Sequence, residues 1–450
     1  MIYRFCLLAL ITMVGCLAHA SRLPDSGGSV HVALPETMEG AFLRAHMSVP
    51  LLTRSVGSAG WESDLIGSMG MSKDGRRWVL ESKANHQILE RAIQNCLEVG
   101  NAVDSWPAAV LSMADVQVRS RVVKGSVVLE LSRPFGPLRE LLAGCVVEAD
   151  LKKGYIGPYK PLGDDGLASN QDTLVPPPLL DRIVLSKGDY GVELKVAEGD
   201  VAGERRTMLA PYPDLVLLLQ SEKAIREDPL GLFGTGSKGL QKLYFHLQSD
   251  VLVSIYGASR GSEFRGLLPP GLAPSRPLPR AGAFEHFAPL RLESDLDLNR
   301  KAWMGCDEED PLIQGFCGRL AMILRSERVL AQFGEPDAME SVDLRVVRWR
   351  SPTPDPGLAM LALLGSFPQL AADLDGDKWL GPLLDEQLGK RLEAASALER
   401  HLLEGYQVVP LVAVDVVFDL APGLKDVHIR EDGVPLLWNA WWVVQPENRP

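Results

Sequence analysis

Apolar and polar positions along this chain follow two periods. Residues 29–34 form a short apolar strand stopped by Pro35, and residues 39–52 have the spacing of a helix. Asp74-Gly75 predicts a hairpin turn, with Trp78-Val79-Leu80 opening the return strand. From 86 to 99 the pattern is helical, because Ile88, Leu89, Ala92, Ile93 and Cys96 fall on one face. Residues 116–131 read as two strands turning at Lys124-Gly125, and a Gly/Pro-rich loop tract runs from 154 to 178. Strands resume at 183–185 and 192–194, an apolar run covers Asp214–Gln220, and 243–247 is another strand. The proline-dense tract 266–281 is an extended connector. Residues 313–333 read as helix, and 342–349 as a strand ended by Pro352, Pro354 and Pro356. Residues 385–403 read as a helix with Leu388, Leu392 and Leu402 inward and Glu393, Glu399 and Arg400 outward. That helix ends at Gly405. An apolar run over 408–418 follows, too short to span a membrane. Turns at Pro422-Gly423 and Asp432-Gly433 flank a strand-like Val427-His428-Ile429. Hairpin and crossover connections interleave, which predicts an α/β fold with mixed sheets.

A chain of 450 residues exceeds the usual size of one domain, so two or more lobes are expected. Residues 1–20 carry one early positive charge, Arg4, then an apolar core and Ala18-His19-Ala20, the form of a secretory signal peptide. Met13-Val14-Gly15-Cys16 loosely fits a lipobox, which would instead anchor the chain through an acylated Cys16. Without residues 1–20, 45 basic residues face 58 acidic ones, a net charge of −13. Such a surface repels nucleic acid and anionic lipid. Four cysteines then remain: Cys96, Cys145, Cys306 and Cys317. Export makes disulfides possible, and Cys306 with Cys317 closes the shortest loop. Other pairings, or four buried thiols, stay open.

Motifs for chemistry are sparse. Gly257-Ala258-Ser259-Arg260-Gly261 matches the G-x-S-x-G elbow of serine hydrolases, but Pro269-Pro270 leaves little room for the helix an elbow requires. Gly234-Thr235-Gly236-Ser237-Lys238-Gly239 matches G-x-G-x-x-G without the strand-to-helix context of a dinucleotide site. Asp373-Leu374-Asp375-Gly376-Asp377 has its glycine at the wrong place for an EF-hand. The eight histidines show no paired spacing, and no C-x-x-C is present, so no metal or cofactor is expected. Trp349 opens a proline-broken loop suited to lining a cleft. Arg348 and Arg350 flank it and, by strand alternation, point away from it. Either guanidinium suits a ligand carboxylate.

Several segments, in order, resemble the family 5 extracellular solute-binding proteins. They include Asp64-Leu65-Ile66-Gly67-Ser68 with Asp74-Gly75-Arg76-Arg77-Trp78, and residues 126–143 with their Pro134-Phe135-Gly136-Pro137-Leu138. Gly157-Pro158-Tyr159, residues 177–183, 197–201 and 243–247, Arg348-Trp349 with Pro354-Asp355-Pro356, and the tail from 402 to 442 complete the set. The resemblance implies a two-lobed, non-enzymatic receptor of an ABC importer. Lobe I would comprise 21–249 and the returning tail 405–450, and lobe II 250–404. A peptide or other small polar solute would be held between the lobes by Trp349, Arg348, Arg350, Ser351 and Thr353. The partner would be a membrane permease, the location the periplasm or cell envelope, and the state monomeric. Peptide-binding members carry an Asp that pairs with a terminal ammonium, and its position here is Pro352, which leaves the ligand open. A secreted hydrolase using Ser259 and a degenerate receptor acting as an interaction module are the alternatives.

Overall fold

The computed structural model describes residues 29–34, 36–54, 60–83, 85–97, 106–147, 157–163, 166–171, 178–187, 192–196, 206–220, 261–262, 266–268, 301–306, 311–326, 330–334, 342–405, 407–430 and 433–442. Residues 1–20 with Cys16, the strand at 243–247, the segment 234–239 and Ser259 lie outside them. Among the described residues, no helix is long and apolar enough to cross a membrane.

Strand β1 (Ser29–Leu34) leads into helix α1 (Glu36–Met47). A four-stranded antiparallel sheet follows, built from β2 (Ile66–Met71), β3 (Arg77–Ser82), β4 (Val118–Val123) and β5 (Ser126–Leu131) in the order β2-β3-β5-β4. Its two hairpins turn where the sequence predicts. Gly75 (φ 68°) takes one turn, and Lys124 (φ 51°) with Gly125 (φ 83°) takes the other, the left-handed pair that matches strand twist. Helices α2 (His86–Leu97) and α3 (Trp106–Met113) connect the hairpins, and α4 (Leu138–Leu142) follows them. The Cys96–Cys145 disulfide ties α2 to the strand pair Val49–Pro50 and Val146–Val147.

The next strands are β6 (Tyr159–Pro161), β7 (Gly166–Ser169), β8 (Arg182–Lys187), β9 (Val192–Val196), β10 (Arg206–Leu209), β11 (Asp214–Gln220) and β12 (Gly261–Ser262). Then come β13 (Lys301–Cys306), α5 (Pro311–Ser326), β14 (Leu330–Gly334), β15 (Leu344–Trp349), α6 (Pro356–Ser366), α7 (Leu388–Glu404), β16 (Val408–Val414) and β17 (Val417–Leu420). A seven-stranded mixed sheet has the order β6-β7-β8-β1-β9-β17-β10, and a six-stranded mixed sheet the order β12-β16-β11-β15-β13-β14. Both are mixed, as expected. The run at 408–418 is two strands in two sheets: β16 lies beside β11, and β17 between β9 and β10. The chain therefore passes between the large sheets at 210–213 and again at 415–416. The sheets exchange there.

Several elements differ from expectation. The helix predicted over 313–333 stops at Ser326, and Leu330–Gly334 is a strand beside β13, where parallel pairing overrides local helical spacing. The first helix ends at Met47, and Val49–Pro50 is already strand. Pro354 and Pro356 end β15 but also start α6: Asp355 is its N-cap, accepting from Leu358 N at 3.0 Å, and Pro356 occupies its first turn. On α7, Leu388 is exposed at the first turn and Glu399 is buried, the reverse of the expected faces. The Glu399 carboxylate accepts from Leu267 N at 2.7 Å and Leu268 N at 3.0 Å, so a partnered acid takes a core position. Burial still pushes its pKa above the usual carboxylate value, against those two hydrogen bonds. Asp375, in the segment tested for calcium, instead caps the turn Gly376–Trp379.

Two apolar cores result among the described residues. One joins β1, α1 and the first large sheet to the C-terminal residues 416–442, including Trp442, with Trp438 packed against it. The other runs without a break from residues 49–147 through the second large sheet to α6 and α7. Helix α6 is buried along nearly its whole length, with α3 and α7 as its helical neighbours.

His46 locks the first core. Its Nδ1 faces Phe42 O at 2.9 Å, and its Nε2 accepts from Leu437 N at 3.1 Å, so the ring is neutral with the proton on Nδ1. Full burial lowers its pKa from 6.5 to about 4. The unfolded chain therefore binds the extra proton first as pH falls. The stabilisation is complete above 6.5 and lost through 4, about 3 kcal/mol in all. Urea titrations of the wild type should show stability rising with pH across this window, and His46→Gln should flatten that slope. Equal slopes in the two proteins would show that His46 does not titrate in this way.

Candidate functional site

The loop after β15 is set by strand register. In the antiparallel β11–β15 pair Leu215 lies opposite Trp349, which brings Asp214 opposite Arg350. Trp349 turns into the second core and is 7% exposed, so it packs there rather than lining an open surface. Arg348 and Arg350 point the other way, as alternation requires, and both reach Asp214. Arg350 Nε and Nη2 lie 2.7 and 2.6 Å from Oδ1, and Arg348 Nε lies 3.6 Å from Oδ2. Asp214 is buried, so its charge is held by these partners and not by water.

This acid sits where the chain changes sheets. Asp214 begins β11 and aligns with Val414, the last residue of β16. Between the two crossing segments, Ala210 N donates to Val416 O at 2.9 Å. Arg350 also touches the first core. Gly433 has φ +77°, and a Cβ there would stand 1.5 Å from Arg350 Nη1, so the guanidinium lies on its bare Cα. One arginine thus contacts the start of β11 and the hairpin around 428–436.

The remaining candidates serve the loop itself. Ser351 Oγ donates to Thr353 O at 2.8 Å, and Thr353 Oγ1 accepts from Asp355 N at 3.2 Å, both side chains being buried. Pro352 supplies no charge. Asp355 continues into a buried network: Arg391 Nε and Nη2 donate to its Oδ2 at 2.9 and 2.6 Å, and Arg391 Nη1 donates to Asp385 O and Glu386 O at 2.7 and 2.9 Å. Glu140 on α4 stands 3.6 Å from Arg391 Nη2, and burial pushes its carboxyl above the usual carboxylate range. The five predicted residues therefore share one loop, with Arg348 the most accessible of them. Chemically the arrangement orients and rigidifies; among the described residues no cluster could hold a metal ion. Asp214, Arg391, Glu140 and the packing role of Gly433 were not singled out from sequence. Only Asp214 left a signal, as the polar end of an apolar run.

Two substitutions test this junction. Asp214→Asn leaves the two arginines facing a neutral amide and should cost about 3 kcal/mol or more in urea unfolding. Gly433→Ala adds a Cβ where Arg350 lies, on top of a left-handed backbone, and should destabilise more than Gly125→Ala, whose φ is also positive but whose Cβ meets nothing. Equal costs for the two glycine variants would refute the contact.

No protein-family model matches the sequence, and no curated protein does. Solved structures do match. A dipeptide binding protein from Pseudoalteromonas sp. SM9913, in complex with Met-Leu, is 14% identical with a TM-score of 0.70, covering 93% of this chain and 100% of that one. The ABC transporter-associated periplasmic binding protein DppA from Helicobacter pylori, in complex with peptide STSA, is 11% identical with a TM-score of 0.70, covering 93% and 98%. NikA from Staphylococcus aureus, in complex with Ni(L-His)2, is 10% identical with a TM-score of 0.66, covering 94% and 100%. Identities this low establish the fold alone: the chain is built on the α/β architecture that these binding proteins share.

Proposed function

We propose that this chain is the exported substrate-binding component of an ABC-type importer, capturing a peptide or other small polar solute without chemistry. The observation that carries this reading is likeness of fold along 93% of the chain to proteins solved with peptides. The strand exchange supplies a physical route. Two short segments, 210–213 and 415–416, lie side by side between the large sheets, and small dihedral changes there would swing one sheet against the other. Ligand touching both sides would favour the closed arrangement. In this reading Arg348 is the loop residue that meets ligand, while Trp349, Arg350, Ser351 and Thr353 hold the loop's shape. The partner is a membrane permease, the location the periplasm or cell envelope, and the working state a monomer.

A second reading, a degenerate receptor acting as an interaction module, draws on two observations. Pro352 stands where peptide-binding relatives carry Asp, and the apolar core runs unbroken from residues 49–147 into α6, which favours a fixed arrangement of those parts. The hydrolase alternative gains nothing from the fold comparison.

A thermal-shift screen of the secreted chain with dipeptides, oligopeptides and nickel–histidine separates the two. A receptor should gain several degrees with one class at saturating ligand, because binding only the native state stabilises it. Small-angle scattering should then show a smaller radius of gyration. A flat screen would end the receptor reading.

A further inference from the structure

The second large sheet has two unlike faces. Cys306 is disulfide-bonded to Cys317 on α5, so α5 covers the face of β13 that carries Ala302, Met304 and Cys306. Trp303 and Gly305 belong to the other face. Parallel register aligns Trp303 with Gln332 of β14, and Gly305 with Gly334 of β14 and Arg345 of β15. Those five positions form a small grid. Strands stand about 4.8 Å apart and same-face neighbours about 6.6 Å apart along a strand. One row is Gln332–Trp303, continued by the buried Asp343, whose carboxylate accepts from Trp303 N at 2.9 Å. The next is Gly334–Gly305–Arg345, two positions with no side chain beside a guanidinium.

The chemistry of the grid is unusual for a structural surface. Trp303 is 43% exposed on a sheet interior to the chain's sequence, not at a terminus. The Arg345 stem lies across Gly305, with its Cγ 3.3 Å from where a Cβ would stand. Its guanidinium is half-buried and has no hydrogen bond or ion pair among the described residues, and desolvation alone pulls its pKa below the ordinary arginine value. Gln332 Oε1 is buried with no hydrogen-bond partner among the described residues. Arg350 and Arg391, by contrast, each hold a buried carboxylate. The Val342 side chain also covers Gly305, its methyls 3.4 and 3.6 Å from that Cβ position, so a ligand meets the grid at the exposed Trp303 ring, the Arg345 head and Gln332.

We propose that this face is a binding site for a carboxylate carrying a flat or apolar body, with Arg345 pairing the carboxylate, Trp303 packing on the body and Gln332 hydrogen-bonding to it. A free organic acid and the C-terminus of a short peptide share this chemistry. The site needs only one sheet, so it stands or falls separately from lobe closure.

Titration calorimetry of the full secreted chain tests it with N-acetyl-phenylalanine, its C-terminal amide, and the dipeptide Ala-Phe. The acid should bind, and the amide should bind at least tenfold more weakly. Arg345→Gln should weaken the acid about ten- to a hundredfold, the span for hydrogen bonds to a charged group. Trp303→Leu should weaken it several-fold, and Arg121→Gln, at an exposed ion pair elsewhere, should change nothing. Dipeptide binding that is equally sensitive to Arg345→Gln assigns the site to peptide termini; binding of the acid alone assigns it to free acids. The proposal is overturned if acid and amide bind alike, if Arg345→Gln binds as the wild type does, or if neither acid nor dipeptide binds. Peptide stabilisation that survives Arg345→Gln would keep the receptor reading and remove this site.

Discussion

A buried carboxylate gripped by two arginines, at the place where the chain passes between its two large sheets, constrains much else in this structure. Asp214 cannot shed its charge to water there, so β15 must arrive in register to present Arg348 and Arg350. That register turns Trp349 inward and starts the loop whose hydroxyls close on Thr353 and Asp355. Arg350 in turn needs a partner surface with no side chain, which Gly433 provides. The first core, the second sheet and the C-terminal hairpin meet through one residue pair. A short-range pair of this kind fixes geometry more than it adds stability, because desolvation offsets much of the attraction.

What the sequence made legible follows from how local each cause is. Hairpins at Asp74-Gly75 and Lys124-Gly125 depend on residues in the turns themselves, and both appear at the expected places. The mixed α/β class follows from interleaved periods, and the sheet orders bear it out. The failures were non-local. Residues 330–334 have no strand signal strong enough to outweigh the helix before them, and they become strand because β13 offers a parallel partner. The run 408–418 is uniformly apolar, so nothing within it marks the passage from one sheet to the other. Glu399 took a core position because its partners lie 131 and 132 residues away.

The candidate site shows the same limit more sharply. All five residues were found near one another, since they are consecutive or nearly so. Their state was not readable. Serine and threonine in a proline-rich loop can face ligand or bond to their own backbone, and here they do the latter. The arginines needed an acid from a strand 134 to 136 residues distant, and only register revealed it.

Two of the arginines this fold buries are surrounded: Arg391 meets Asp355, Glu140 and two carbonyls, and Arg350 meets Asp214. Unpartnered cations are disfavoured in partly desolvated places, and a folded chain ordinarily places them in water or beside an acid. Arg345 is half-buried with no acid partner among the described residues, and its stem lies across Gly305, which aligns with Gly334 of the next strand. Packing alone does not account for that. An arginine stem needs a bare backbone to cross, but its head gains nothing by stopping short of water. A counter-charge that arrives from outside resolves the imbalance, and the exposed Trp303 ring beside it favours an apolar body behind that charge.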